Sequence, residues 1–315
     1  MLGMLALCLL AALCGAVFHN LYAPVPRRPE LSADAVERSL LIGSHDRRYW
    51  AYVPAGLPPN APLLLVLHGE GQDAHAIRQA TGYGFEHLAD QKGFAVVYPE
   101  AFKKHWNDGR RNVRCHARRQ GVDDKVFLCA VIGEMAKQRD IDPGRVFVFG
   151  YANGGHMAFR VAMEVPERVT AIAVVGANLP TQENSITSPR GEPVPALIVN
   201  GTQDPINPYV GGLITLFGFG DRGEVMSSRA TAESFARLNR AQWASSVDLD
   251  PIKPGDETRV VRETWSTGGI PSVLLYSVLG GGHVIPQPVG RTRPLFGAKT
   301  SALDTPVAVC AFFRL

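Results

Sequence analysis

Four short stretches of this sequence carry residue types whose order and spacing suit acyl-transfer chemistry. The first is Gly150-Tyr151-Ala152-Asn153-Gly154-Gly155. It lies between an apolar run, Val146 to Phe149, and a segment whose apolar positions Met157, Ala158, Val161 and Ala162 recur at helical spacing until Pro166. Strand, sharp turn and helix, with glycine on both sides of a central residue, is the frame of the G-x-S-x-G corner that displays a nucleophilic serine. Here the central residue is Ala152, so the frame is present without its hydroxyl. The second stretch is Asn200-Gly201-Thr202-Gln203-Asp204, the third Gly280-Gly281-Gly282-His283, and the fourth His68-Gly69-Glu70-Gly71.

Acyl transfer requires a nucleophile, a base, an acid that orients the base, and donors for the oxyanion. Asp204 and His283 each follow an apolar run and come after the glycine corner, in the chain order nucleophile, acid, base. Either residue alone reads as an ordinary turn residue, because connecting loops favour polar side chains. Three such features in order are the discriminating signal. The backbone N–H of Gly69 or Glu70, with that of Asn153, would supply the oxyanion donors. The bland reading of His68-Gly69 is a tight strand-to-loop turn. An alanine methyl cannot attack a carbonyl, and no serine lies between Ala152 and Ser185. General-base activation of a water by His283 and Asp204 would be a modest contribution beside a lost nucleophile.

The elements that must position these residues alternate between strand and helix. Strands are expected around Gly43-Ser44 within Ser39 to Val53, then at Leu63 to Leu67, Phe94 to Tyr98, Val146 to Phe149, Val169 to Val175, Ala196 to Val199, Arg259 to Trp265 and Val273 to Val278. Helices are expected at Ala76 to Lys92, Val122 to Arg139, the segment after the corner, Thr231 to Leu238 and Ala302 to Phe313. That alternation implies an α/β fold, with a mostly parallel central sheet and helices on both faces. Ligands of such sheets sit at the carboxyl ends of strands, where all four stretches fall. Leu213 to Met226, rich in glycine and aromatics, reads either as a surface excursion packed by Phe217 and Phe219 or as a flap made mobile by Gly218, Gly220 and Gly223. Pro286-Gln287-Pro288 would shape the opposite rim.

At 315 residues and 46% apolar content the chain can bury a full core. A net charge of +3, not blocked into runs, argues against nucleic-acid binding. Arg110, Arg111, Arg114, Arg118 and Arg119 read as a solvated loop and helix start. Met1 to Val17 has no charged side chain and is Leu/Ala/Cys-rich, so residues 1–23 are expected to be a signal peptide or N-terminal membrane anchor. Arg27 and Arg28 follow that run and no basic residue precedes it, which is the wrong polarity for a secretory signal and favours an anchor or an upstream start. The expected organisation is leader 1–23, proline-rich linker 24–36 and one domain over 37–315, secreted or periplasmic. Cys115, Cys129 and Cys310 allow at most one disulfide, with Cys129 expected in the core.

Taken together, Leu67-His68-Gly69, Trp106-Asn107-Asp108-Gly109, Val122-Asp123-Asp124, the corner Gly150 to Gly155, Asn200-Gly201-Thr202 through Asp204, and Gly281-Gly282-His283 give the chain a family resemblance. From about Asp46 to His283 it resembles the secreted polyhydroxybutyrate depolymerase and feruloyl esterase branch of the α/β-hydrolases. The resemblance implies a serine carboxylic-ester hydrolase acting on small or polymeric hydroxyalkanoate or hydroxycinnamate esters, with no metal or organic cofactor. Carried over position by position, Asp204 is the acid, His283 the base, and Ala152 stands in the nucleophile's place. Trp106 is then a pocket wall or a core aromatic, and His68 is expected beside the substrate. The departure at Ala152 leaves two expectations: a much impaired esterase, or an exported protein that binds esters or glycans without cleaving them.

Overall fold

The computed structural model describes residues 23–139, 141–290 and 292–315, so the expected leader falls almost wholly outside the described residues. A ten-stranded sheet runs through the molecule. β1 (Val36–Ile42) and β2 (His45–Tyr52) form an antiparallel hairpin at one edge, and β2 pairs antiparallel with β4 (Ala95–Pro99). The centre is parallel: β4, β3 (Ala61–Leu67), β5 (Ile141–Tyr151), β6 (Ala171–Val175), β7 (Ala196–Gly201) and β12 (Ile270–Leu279), in that spatial order. β11 (Arg259–Thr267) and β10 (Gln242–Leu249) close the other edge antiparallel, while β8 (Gly212–Leu213) and β9 (Glu224–Val225) form a separate two-stranded ribbon.

The central strands read as unbroken apolar runs because both faces are covered. Side chains alternate across the sheet, so Leu63, Leu65 and Leu67 enter one core while Leu64 and Val66 enter the other. The first core is closed by α4 (Asp124–Arg139), α5 (Asn153–Glu164) and α6 (Ser228–Leu238). The second is closed by α1 (Ala74–Ala80), α2 (Gly84–Lys92) and α7 (Thr305–Phe313). A short helix, α3 (His116–Arg119), belongs to a small satellite cluster with Val113, Cys115 and Val122.

Several expectations change. The single helix expected over Ala76 to Lys92 is two, α1 and α2, because Gly82 and Tyr83 take positive φ and turn the chain where Val289 crosses it. β10 was not expected: it is an edge strand exposed along most of its length and lacks an unbroken apolar run. The linker expected over 24–36 is docked from Leu31 onward: Ser32 bonds Asp90, and Leu31, Ala33 and Ala35 pack on the second core. All three described cysteines are free, and Cys129 is only partly buried. Arg110 is not solvated but buried at 3% exposure. Among the described residues no helix is long and apolar enough to cross a membrane.

Candidate active site

The corner between β5 and α5 is built by the absence of side chains. A Cβ on Gly150 would overlap the Gly154 carbonyl, and one on Gly154 would overlap the Leu67 and His68 carbonyls at the end of β3. Glycine at both positions therefore lets the corner close onto the neighbouring strand. Ala152 sits at the apex with φ 52° and ψ −116°, a conformation that L-residues rarely adopt. Its N–H donates to Val175 O of β6 (2.9 Å), and its carbonyl accepts from His156 N–H (3.0 Å), which holds the apex from both sides. The strained corner is thus kept although the residue it displays is a methyl.

His283, four residues past β12, places Nδ1 2.7 Å from Asp204 Oδ2, with the two side chains 5% and 0% exposed. Asp204 Oδ1 is filled by the N–H groups of Ile206 and Asn207, both at 2.8 Å. An ionised carboxylate only accepts, so Nδ1 donates and Nε2 is left as the basic nitrogen. The ring lies against the backbone of Gly176, where an added Cβ would come 3.0 Å from Cε1. Gly176 directly follows the carbonyl that holds Ala152, so the imidazole stands beside the corner. Tyr151, whose hydroxyl donates to His283 O at 2.8 Å, ties the histidine loop to the same strand end.

The third component is the loop after β3. A Cβ on Gly69 would lie 3.4 Å from that of Ala152, so this loop faces the apex. The three expected oxyanion donors fare differently. The Gly69 N–H donates to Gln72 Oε1 (3.0 Å) and is occupied. Among the described residues the N–H groups of Glu70 and Asn153 have no partner, and Asn153 opens α5, whose dipole favours negative charge.

Two residues expected at the substrate are elsewhere. Trp106 is fully buried, donating Nε1–H to His68 O (2.9 Å), and so is a core aromatic rather than a pocket wall. His68 is also fully buried, with Nδ1 donating to Gly69 O (2.8 Å) and Nε2 accepting from Ala101 N–H (3.0 Å). It pins the loop after β3 to the loop after β4 and is not available to a substrate. Burial holds its pKa down to about 4, so it is neutral there.

Sequence reading missed the buried wiring behind Asn153. The Asn153 side chain accepts from Trp106 N–H (2.8 Å) and donates to Asp108 Oδ2 (2.5 Å), which also takes Arg110 (2.6 Å). Despite burial, the Arg110 guanidinium holds the Asp108 carboxyl far below the usual carboxylate range. The next turn is tied by Asp124, which accepts from Arg47 (2.6 Å) and from Asn107 N–H (2.7 Å). The motifs carrying Asp108 and Asp124 were visible in the sequence; their partners were not.

The packed reading of Leu213 to Met226 needs adjusting. Phe219 is 80% exposed, while Phe217 meets Phe296 edge-on at 5.5 Å. Phe296 in turn stacks on the His283 ring, 6.4 Å between centroids. At the other end of the segment Arg222 forms a two-pronged pair with Glu70 (3.0 and 3.3 Å). The segment therefore bridges the loop after β3 and the loop that carries His283 and Phe296. Of the expected rim at Pro286-Gln287-Pro288, Gln287 is buried and Pro288 is exposed. Among the described residues no cluster of His, Cys, Asp and Glu is arranged to hold a metal ion.

Comparison with known proteins gives this arrangement a family. Residues 48–188 match the family described as Esterase PHB depolymerase. Over 300 residues the chain is 30% identical to a protein of Nocardia uniformis subsp. tsuyamanensis named "Putative esterase NocK", covering 92% of this chain and 84% of that one. The chain belongs to the PHB depolymerase esterase family. It is also similar to poly(3-hydroxyalkanoate) depolymerase C of Paucimonas lemoignei, 25% identical over 84% of this chain and 64% of the relative. Among solved structures, acetyl xylan esterase from Aspergillus awamori superposes with a TM-score of 0.58 at 14% identity, covering 89% of this chain and 99% of that one. At that identity the likeness concerns the fold, which is that of the α/β-hydrolases. In this PHB depolymerase esterase family member, the four stretches with acyl-transfer residue types all lie at the carboxyl ends of β3, β5, β7 and β12.

Proposed function

We propose that this family member retains an ester-binding site whose covalent chemistry is silenced at Ala152. In this reading His283 is the base, Asp204 orients it, and the N–H groups of Glu70 and Asn153 receive the carbonyl oxygen. Ala152 holds the nucleophile's place without the attacking atom. The observation that carries the reading is the conjunction at one strand end: a strained apex at φ 52°, and a His283–Asp204 pair of 2.7 Å beside it. Backbone strain of this kind costs about 1–3 kcal/mol and persists where the surroundings impose it. Without the nucleophile no acyl-enzyme forms, and losing a triad serine costs on the order of a millionfold in turnover. Among the relatives, the name of poly(3-hydroxyalkanoate) depolymerase C supports a hydroxyacid polyester or oligomer as the ester class. The same reading takes residues 1–23 as a leader or anchor and the domain as exported, supported by the charge-free apolar stretch Met1 to Val17.

The test is hydrolysis of 4-nitrophenyl butyrate by the chain and by Ala152→Ser. The chain is expected at background. The serine variant is expected to turn over at least about a thousandfold faster, since the base and oxyanion donors are already placed. Serine-hydrolase rates with Ala152 in place would overturn the assignment of the nucleophile position. Ester binding without turnover by either protein would leave a binding protein that is no longer built for catalysis.

A further inference from the structure

Next to the oxyanion loop lies a cavity of about 610 Å³ that the ester site as described does not use. That volume is within the range of small-molecule sites. The cavity is lined by Glu70, whose N–H has no partner among the described residues, and by Arg111, Arg114 and Arg222.

The charges in this cavity do not cancel. Burial works against the Glu70 carboxylate, but its bond to Arg222 and the charges of His105 and Arg110 keep it ionised and below its usual range. Arg222 is therefore spent on Glu70 (3.0 Å). Asp221, the other carboxylate, accepts from the N–H of Gly223 (2.7 Å) and faces the Asn112 amide (3.5 Å). Arg111 is held by two neutral backbone acceptors, Glu183 O (2.9 Å) and Ser185 O (3.0 Å), and has no carboxylate partner. Arg114 makes no ion pair or hydrogen bond with any described residue. Arg118, which donates to the carbonyls of Arg110 and Arg111, fixes the backbone that carries them. Three guanidinium groups thus face two carboxylates, one of which is already consumed. Arg111 is pre-positioned by its backbone anchors, so little side-chain freedom is lost when its remaining N–H groups bind.

We propose that this cavity is a carboxylate subsite, and that the ester bound at the corner carries a free carboxylate on the arm that passes Glu70 to reach Arg111 and Arg114. The proposal rests on the ester-site reading above. A planar carboxylate suits guanidinium donors, which can engage it through two parallel N–H bonds. A neutral polyester segment would leave Arg111 and Arg114 facing uncharged atoms. The chain end of a hydroxyacid oligomer, or the hemi-ester of a dicarboxylic acid, would not. The shared chemistry is a carboxylate, which could belong to the ester itself or to a separate free acid.

The experiment uses two readouts. In Ala152→Ser, kcat/KM is compared for 4-nitrophenyl butyrate and the mono-4-nitrophenyl ester of glutaric acid. The acid ester is expected to be preferred by about tenfold or more at low salt, with the preference falling as salt rises. In Ala152→Ser carrying Arg111→Gln and Arg114→Gln the ratio is expected to fall close to one, and Arg114→Lys should restore part of it. In the unaltered chain, calorimetry compares monomethyl glutarate, dimethyl glutarate and glutarate, with the monoester expected to bind most tightly. Equal handling of acid and neutral esters would overturn the subsite while leaving the ester site standing. Glutarate binding as tightly as the monoester would overturn it too, by showing a site for free acids. No turnover of either ester by Ala152→Ser, with no binding of any of the three, would remove the ester-site reading itself.

Discussion

Ala152 carries the energetic signature of a displayed residue. Its φ of 52° with ψ −116° is unfavourable for any residue with a Cβ. Ala152→Gly is expected to stabilise the fold by about 1 kcal/mol, strain relief exceeding the added freedom of the unfolded chain. Denaturant unfolding at neutral pH checks this, and a destabilised glycine variant would mean that the apex is unstrained. His68 offers a second residue-scale test. Burial lowers its pKa from 6.5 to about 4 in the folded chain. Between those values the unfolded chain binds the proton and the folded one does not. Its contribution to stability is therefore complete above pH 6.5 and is lost as pH falls towards 4, at up to about 1.4 kcal/mol per pH unit. His156, also held neutral by burial, acts in the same direction. His68→Gln should make the stability difference between pH 7 and pH 5 smaller, because glutamine can both donate and accept without titrating.

At the scale of elements, the corner is a contact between three backbones rather than a property of one loop. The Cβ that Gly154 lacks would occupy the space of the Leu67 and His68 carbonyls, which belong to β3 and its loop. Backbone cannot rotate away as a side chain can. Gly154→Ala is expected to cost about 3 kcal/mol or to prevent folding, at the upper end of overpacking penalties. Gly133, inside α4, is the control, since an added Cβ there meets nothing within 4 Å. Gly133→Ala should stabilise by about 0.5–1 kcal/mol through helix propensity. Thermal or denaturant unfolding of the two variants gives the comparison, and a similar sign for both would contradict the packing described for the corner. The segment from β8 to β9 belongs at this scale as well. Its composition was legible as mobile or packed, but Arg222 on Glu70 and Phe217 on Phe296 join residues 152 and 79 positions apart.

For the whole molecule, the loops bearing the site are fastened to the sheet edge by buried charge. Arg47 of β2 and Asp124 of α4 are 2% and 0% exposed and 2.6 Å apart, and Asp124 also caps Asn107 N–H. Removing one partner leaves the other buried without compensation. Asp124→Asn is expected to destabilise the domain by about 3–5 kcal/mol in chemical denaturation. If Arg47→Met combined with Asp124→Leu restores most of that loss, the cost lies in the orphaned charge; if it does not, the pair also holds the loop by geometry. The larger architecture was legible in the chain because it repeats simple signals. Unbroken apolar runs such as Leu63 to Leu67 mark strands covered on both faces, and glycine at 150, 154 and 155 marks a corner under close approach. β10, where polar and apolar residues mix without an unbroken apolar run, and the break at Gly82 carried no such signal. One is an edge strand and the other a response to a loop about 200 residues away.

The sequence by itself determined the fold class, the order of Ala152, Asp204 and His283, and an alanine at the centre of the glycine corner, because motif spacing and residue identity are local properties of a chain. It also determined which strand ends had to meet, since a parallel sheet brings its carboxyl ends to one side. Tertiary structure alone decided which N–H groups remain unpaired at the corner, that Trp106 and His68 are buried, and that Arg111 and Arg114 face a cavity without carboxylate partners. Those outcomes depend on what each polar atom finds across the fold. Hydrogen-bond satisfaction and burial are settled between segments far apart in sequence, where no local pattern records them.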